Sequence, residues 1–226
     1  MTSTIRLGRH QDVLASVECD ALICDPPYGA RVHREALGEA DDREQIDYSH
    51  WDPDDVREFV QSWSPRTRGW MACLTSHDLI PAWEEAYAEV GRCGFAPVSC
   101  VITGMGVRMA GDGPSSWTVY LMVARPRTAE MARWGALPGA YVVPRPYRFG
   151  GGGRGKPLRL MEAIVRDYSR RGDLVCDPCA GWGHTLIAAR SLGRRGVGAE
   201  IDAAAHAEAC RRMGRAVQGD LLAGGQ

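Results

Sequence analysis

Apolar, strand-like runs alternate with amphipathic helical stretches along this chain, and that alternation predicts an α/β protein with a mostly parallel, doubly wound sheet covered on both faces. Two further observations agree with it. Acids stand at the carboxyl ends of three of the runs: Asp25 after Ala21-Leu22-Ile23-Cys24, Asp177 after Leu174-Val175-Cys176, and Glu200 after Gly196-Val197-Gly198-Ala199. A glycine turn, Gly181-Trp182-Gly183, follows the second of them. In a doubly wound sheet, ligands bind beyond the carboxyl ends of the strands, at the point where strand order reverses.

The elements follow in order. Ile5 to Leu7 reads as a short strand, Gln11 to Ser16 as a helical turn, and Ala21 to Cys24 as a buried strand that delivers Asp25 at its end. A polar loop is expected over 29 to 51. Asp52-Pro53 begins a helix, with Asp52 as N-cap and Pro53 at the first helical position. Val56, Phe59, Val60 and Trp63 make its apolar stripe. Trp70 to Leu74 is a strand, Leu79 to Gly91 a helix ended by its glycine, and Val98 to Ile102 a strand. Gly104 to Ser116 reads as loop, Thr118 to Ala124 as strand, and Arg125 to Gly155 as loop-rich. Leu158 to Ser169 is helical, with Leu160, Ile164 and Val165 on one face. Leu174 to Cys176, helix Thr185 to Leu192 and Gly196 to Ala199 form a β-α-β unit, after which helix Ala203 to Met213 and a strand over 216–218 close the chain.

With 226 residues the chain is expected to form a single domain, 1–226, with a short recognition insertion around 125–155. No apolar run approaches the roughly 20 residues of a membrane span, and the N-terminus lacks a secretory pattern, so a cytoplasmic protein without a membrane partner is expected. The formal net charge of −1 does not by itself favour nucleic acid. Its distribution is more telling, because acids crowd residues 35–58 while Arg145, Arg148, Arg154, Lys156, Arg159, Arg166, Arg170 and Arg171 gather in the second half. Lys156 is the sole lysine. Cys176 and Cys179 have redox or zinc spacing, yet no second Cys or His pair completes a ligand set, and most of the eight cysteines sit in apolar runs as small hydrophobes.

Asp25-Pro26-Pro27-Tyr28 places a carboxylate, two rigid prolines and an aromatic ring together. That suits a planar base bearing an amine. The glycine turn permits close approach by an adenosyl cofactor, the helix after it offers N–H groups to a carboxylate, and Glu200 follows at about 20 residues, the spacing of an acid that accepts from ribose hydroxyls. The pair of motifs, in this order, resembles the circularly permuted beta class of amino-group DNA methyltransferases, which methylate adenine N6 or cytosine N4. The resemblance covers Ile5 to Tyr28, Lys156 to Asp202 and, more loosely, Ser99 to Arg127. It implies a Rossmann-like fold, S-adenosyl-L-methionine as cofactor, and a base that leaves the duplex before reaction. It implies catalytic roles for Asp25, Pro26, Pro27 and Tyr28, and cofactor contacts from Lys156, Pro157, Asp177, Cys179, Ala180, Gly181, Gly183, Thr185 and Glu200; no metal is needed.

Trp182 and His184 depart from the small hydroxyl residues usual there; His184 is expected to cap the following helix. For the adenine ring of the cofactor, Asp220 in Gln218-Gly219-Asp220-Leu221-Leu222 is preferred, because the family's alternative acid, after Gly8, is Arg9 here. Gly111 to Trp117 and Arg125 to Arg154, with Trp134, Tyr141, Arg145, Tyr147, Arg148 and Phe149, mix arginine and aromatics as a DNA-contacting surface does, and as ordinary packed loops also do. The expected activity is a small phage-like or orphan DNA methyltransferase acting on adenine N6, alone or as a homodimer. Cytosine N4 and a catalytically silent nucleic-acid-binding subunit are the alternatives.

Overall fold

Every strand expected from the apolar pattern up to Glu200 forms in the computed structural model, which describes residues 2–29, 50–104, 116–145 and 155–223, with side chains as far as Gly214. In chain order the elements are β1 (Ser3–Leu7), α1 (His10–Val13), β2 (Ala21–Cys24), α2 (Pro53–Trp63), β3 (Met71–Thr75), α3 (Ile80–Glu89), β4 (Cys93–Gly94), β5 (Val98–Thr103), β6 (Thr118–Arg125), β7 (Ala140–Pro144), α4 (Leu158–Tyr168), β8 (Leu174–Asp177), α5 (His184–Ser191), β9 (Arg195–Glu200) and α6 (Ala203–Ala223). They fall into two compact units, one of residues 1–25, 66–72 and 146–226 and one of 26–65 and 73–145.

In the first unit the strands run β1-β9-β8-β2, all parallel. Leu22 N–H donates to the Trp70 carbonyl at 2.9 Å, so the chain leading into β3 lies on the far side of β2. All four residues of β2 are buried, as a strand covered on both faces requires. Leu160, Met161, Ile164, Val165 and Tyr168 give α4 its buried face, and Trp70 meets Tyr168 edge-on with ring centroids 5.2 Å apart. Gly198 allows β9 to close on the end of β8: a Cβ there would lie 2.8 Å from the Asp177 carbonyl oxygen and 3.0 Å from Leu186.

In the second unit Asp52 caps α2 as expected, accepting from the Asp54 and Asp55 N–H groups, while the Asp55 side chain accepts from Asp52 N–H in a reciprocal box. The stripe of Val56, Phe59, Val60 and Trp63 is buried, and Phe59 meets Trp83 of α3 edge-on at 6.0 Å. Trp83 Nε1 donates to Thr75 Oγ1 at 3.0 Å, which lets a buried indole keep its hydrogen bond. β5 lies between antiparallel β6 and parallel β7, and β4 adds to β6.

Three differences from the sequence reading stand out. β7 forms inside the stretch read as loop-rich; only Tyr141 is buried there and Val142 is 68% exposed, so the alternation is too thin to show. β5 and β6 are antiparallel, because neighbouring antiparallel strands need no crossover helix. The strand over 216–218 is not formed, and α6 continues through it. Three residues of weak strand character are outweighed by a segment rich in Ala, Arg, Leu and Met, all strong helix formers.

Candidate functional site

Within the first unit, β2 and β8 are parallel neighbours in the register Ala21↔Val175 and Leu22↔Cys176, and β8 is flanked by β9 on its other side. From β8 the chain continues to β9 on one side, and from β2 it continues to the segment beside β2 on the other. Asp25 and Asp177 therefore stand at the carboxyl ends of neighbouring strands at the point where strand order reverses, with Glu200 at the end of the strand beyond.

Asp177 is 2% exposed. It accepts from Cys179 N–H at 3.1 Å and from the Thr185 side chain, so it shapes the turn from within. Burial pushes its carboxyl up to about 7 against the pull of those hydrogen bonds, and the charges of Asp25 and Glu200 push the same way. The turn itself is tight. Ala180 N–H donates to Ala199 O at 2.9 Å and Gly183 N–H to Ala180 O at 2.7 Å. Gly181 and Gly183 have φ of 50° and 77°, the left-handed region that favours glycine. A Cβ at Gly181 would meet nothing within 4 Å, so the turn faces open space on that side. Glu200 Oε2 accepts from Gly181 N–H at 2.7 Å, and its Oε1 accepts from Asp202 N–H at 2.8 Å.

Lys156 reaches Asp25. Its Nζ lies 2.9 Å from Oδ1 and 2.8 Å from Oδ2, with the two side chains 17% and 26% exposed. The sequence pointed to Lys156 as a cofactor contact and to Asp25 as the acceptor contact; the structure brings the two together. Pro157, buried, is the N-cap of α4.

His184 is the first residue of α5 rather than its cap; Gly183 holds the N-cap position, and no side chain caps the helix. Arg212 of α6 lies with its Nη1 2.7 Å from His184 Nε2, stacks 4.4 Å over the Trp182 ring and donates to Glu208 Oε1 at 2.7 Å. Burial, with help from the Arg212 charge, lowers His184 to about 4, so the ring is neutral and accepts from Arg212 through Nε2. One arginine among many in the sequence carried no signal for this cluster.

In the second unit the residues after Asp25 have their own supports. Pro26 is buried, and Pro27 and Tyr28 are half-buried. Trp51 N–H donates to the Tyr28 carbonyl at 3.1 Å, and Gly29 N–H donates to Ser76 Oγ at 3.1 Å. A Cβ at Gly29 would lie 2.2 Å from Asp78 Oδ2, so only glycine lets Asp78 pack on this loop. Trp51 in turn packs on Phe59 at 5.1 Å and on Trp83 at 6.4 Å. Gly29, directly after the motif, was the one hint of this close approach in the sequence.

Of the expected recognition residues, Trp117 is 40% exposed, Trp134 is half-buried and Tyr141 is buried. Arg145 N–H donates to Thr103 O at 2.8 Å. Tyr147, Arg148, Phe149 and residues 111–115 lie outside the described residues, as do the loop over 30–49 and the Asp220 side chain. Asp220 itself is on α6, not after a strand. None of the eight cysteines is in a disulfide, and no described helix is long and apolar enough to cross a membrane.

Residues 154–211 match the family model N6_N4_Mtase, described as DNA methylase; the span includes Lys156, the glycine turn and Glu200. No curated protein sequence matches the chain significantly. Solved structures share the fold along nearly all of it. The M1.HpyAVI–SAM complex aligns with a TM-score of 0.73 at 18% identity, over 94% of this chain and 99% of that one. TTHA0409 of Thermus thermophilus, complexed with S-adenosyl-L-methionine, gives 0.64 at 22% over 96% of each chain. The cytosine-N4-specific PvuII DNA methyltransferase gives 0.68 at 13%, over 94% and 86%. The fold is thus the Rossmann-like one of S-adenosylmethionine-dependent methyltransferases, with the Asp-Pro-Pro-Tyr motif ahead of the glycine turn in the chain.

Proposed function

We propose that this chain, which carries the amino-group DNA methylase signature over residues 154–211 on a methyltransferase fold, transfers a methyl group from S-adenosyl-L-methionine to adenine N6 in DNA. The observation that carries the reading is the placement of Asp25 and Asp177 at the ends of adjacent parallel strands, where the strand order reverses.

The residues present fit the cofactor. The start of α5 has no side-chain cap and suits a carboxylate. The Gly181 side of the turn is open. Glu200 holds the turn with one hydrogen bond to each oxygen, and a carboxylate oxygen accepts more than one, so ribose hydroxyls can join them. Bound there, S-adenosylmethionine supplies an electrophilic methyl group on its sulfonium.

The acceptor amine is conjugated into its ring and is a poor nucleophile. Asp25 and the carbonyl of Pro26 accept its two hydrogens, which localises the nitrogen lone pair and aims it, and Tyr28 offers a face on which the extruded base stacks. No covalent bond to the protein is required. Adenine is preferred to cytosine because Asp at the first motif position is the commoner form among the adenine enzymes this motif resembles. Cytosine N4 is the second reading, favoured by the likeness to PvuII methyltransferase.

Base-resolved modification mapping of DNA from cells with and without the gene tests both. N6-methyladenine at a defined sequence is expected; N4-methylcytosine would select the second reading, and unmodified DNA with purified protein and cofactor would overturn the activity.

A further inference from the structure

The ammonium of Lys156 bisects the Asp25 carboxylate at 2.9 and 2.8 Å, the same carboxylate that the proposed reaction assigns to the acceptor amine. Lys156 is also one residue from Gly155, and a Cβ at Gly155 would lie 2.9 Å from His184 Nδ1. His184 opens α5, whose start has no side-chain cap. The lysine therefore stands between an acid it already clamps and a helix start that favours a bound carboxylate, which would be a second partner for it. Arg212, a cation at that end of α5 among the described residues, is committed to Glu208, His184 and the Trp182 ring.

We propose that Lys156 is a positioning residue exchanged between two carboxylates, Asp25 and the methionine carboxylate of the cofactor at the start of α5, so that cofactor binding releases Asp25 to the acceptor amine. The proposal rests on the methyltransferase reading and adds an order to it. One ammonium neutralises one carboxylate well, and neither side chain is exposed enough for solvent to screen the pair away. The two compete for it: whatever weakens the hold of Asp25 strengthens the hold on the cofactor carboxylate, by at most the same factor. A compact ammonium can pivot between two such partners, whereas a planar guanidinium needs a different approach to each.

Because Lys156 is the sole lysine, labelling with 15N-lysine gives a single side-chain ζ-nitrogen resonance. That resonance is followed in the full-length protein alone, with S-adenosylmethionine, and with decarboxylated S-adenosylmethionine, which differs only in lacking the carboxylate. Calorimetry supplies the two dissociation constants, and their ratio isolates the contribution of the carboxylate from that of the sulfonium. The resonance is expected to move with S-adenosylmethionine and to stay near its ligand-free position with the decarboxylated form. Asp25→Asn is expected to raise the ratio of the decarboxylated form's dissociation constant to that of S-adenosylmethionine about fivefold, at the low end of usual coupling factors, and Lys156→Gln to lower it below the wild-type value. A resonance that does not move at saturation, or a ratio unchanged in Asp25→Asn, overturns the exchange and leaves Lys156 a fixed counter-ion. If either variant fails to fold by thermal melting, the wild-type resonance with the two ligands still decides. Failure of the wild type to bind S-adenosylmethionine at all would instead strike the methyltransferase reading, and the exchange with it.

Discussion

At the scale of single residues, the proposed reaction divides the work among the acids at the strand ends. In the proposed reaction Asp25 is on the acceptor side, so Asp25→Ala is expected to cut methyl transfer by about a hundredfold or more, as loss of an electrostatic contact made in the transition state does, while cofactor binding survives. Calorimetry and single-turnover transfer check this together; equal loss of cofactor affinity would count against the division. Asp177 behaves differently, because burial raises its carboxyl to about 7. A group whose folded value lies above its unfolded one adds stability at low pH and loses it as pH rises through the folded value. Asp177→Asn should therefore be more stable relative to wild type at pH 8 than at pH 5, by on the order of 3 kcal/mol, measured by urea unfolding at both values. The motif and its spacing made both aspartates visible in the sequence. Their unlike environments were not visible, since one is partly buried against Lys156 and the other sealed under the turn.

At the scale of elements, the local signals were strong wherever a cap or a glycine set the boundary. Asp52 closes its capping box with Asp55, and Asp52→Ala should cost about 1 kcal/mol in thermal or urea unfolding without touching methyl transfer. Gly198 is a sharper case, because a Cβ would press on the Asp177 carbonyl and on Leu186. Gly198→Ala is expected to destabilise by about 1–3 kcal/mol through overpacking, and to weaken cofactor binding because it disturbs the strand end that carries Asp177. Normal cofactor affinity in that variant would show that the strand end tolerates the shift. Gly181→Val should bind cofactor poorly while folding, since its side chain projects into the open space beside the turn and must adopt a left-handed backbone. The elements that the sequence does not show, β7 and the two-residue β4, are held by their neighbours' ladders rather than by their own pattern, and residues 216–218 lie in α6 rather than in a strand because three residues are too few to set a period.

At the scale of the whole molecule, one buried acid and two partly buried histidines oppose one another. His10 and His184 are both lowered to about 4, chiefly by burial, so each remains neutral in the fold where the unfolded chain would be protonated. Their stability contribution is present above about 6.5 and is lost as pH falls toward 4, whereas that of Asp177 grows over the same range. Two groups against one predict a net loss of stability on acidification from pH 7 to pH 4, and a His184→Gln variant should lose less; melting temperatures across that range test it. What the sequence determined by itself was the α/β class, the order of the two motifs and the acids at three strand ends, because apolar runs and the glycines that end them are local features. Which strands are neighbours, and hence that Asp25 lies beside Asp177, followed only from the assembled sheet of the first unit. The partners of the charged groups were also decided there. Lys156 and Asp25 are 131 positions apart, as His184 and Arg212 are 28 apart, and pairs so distant are chosen by packing and electrostatics that no single stretch of sequence contains.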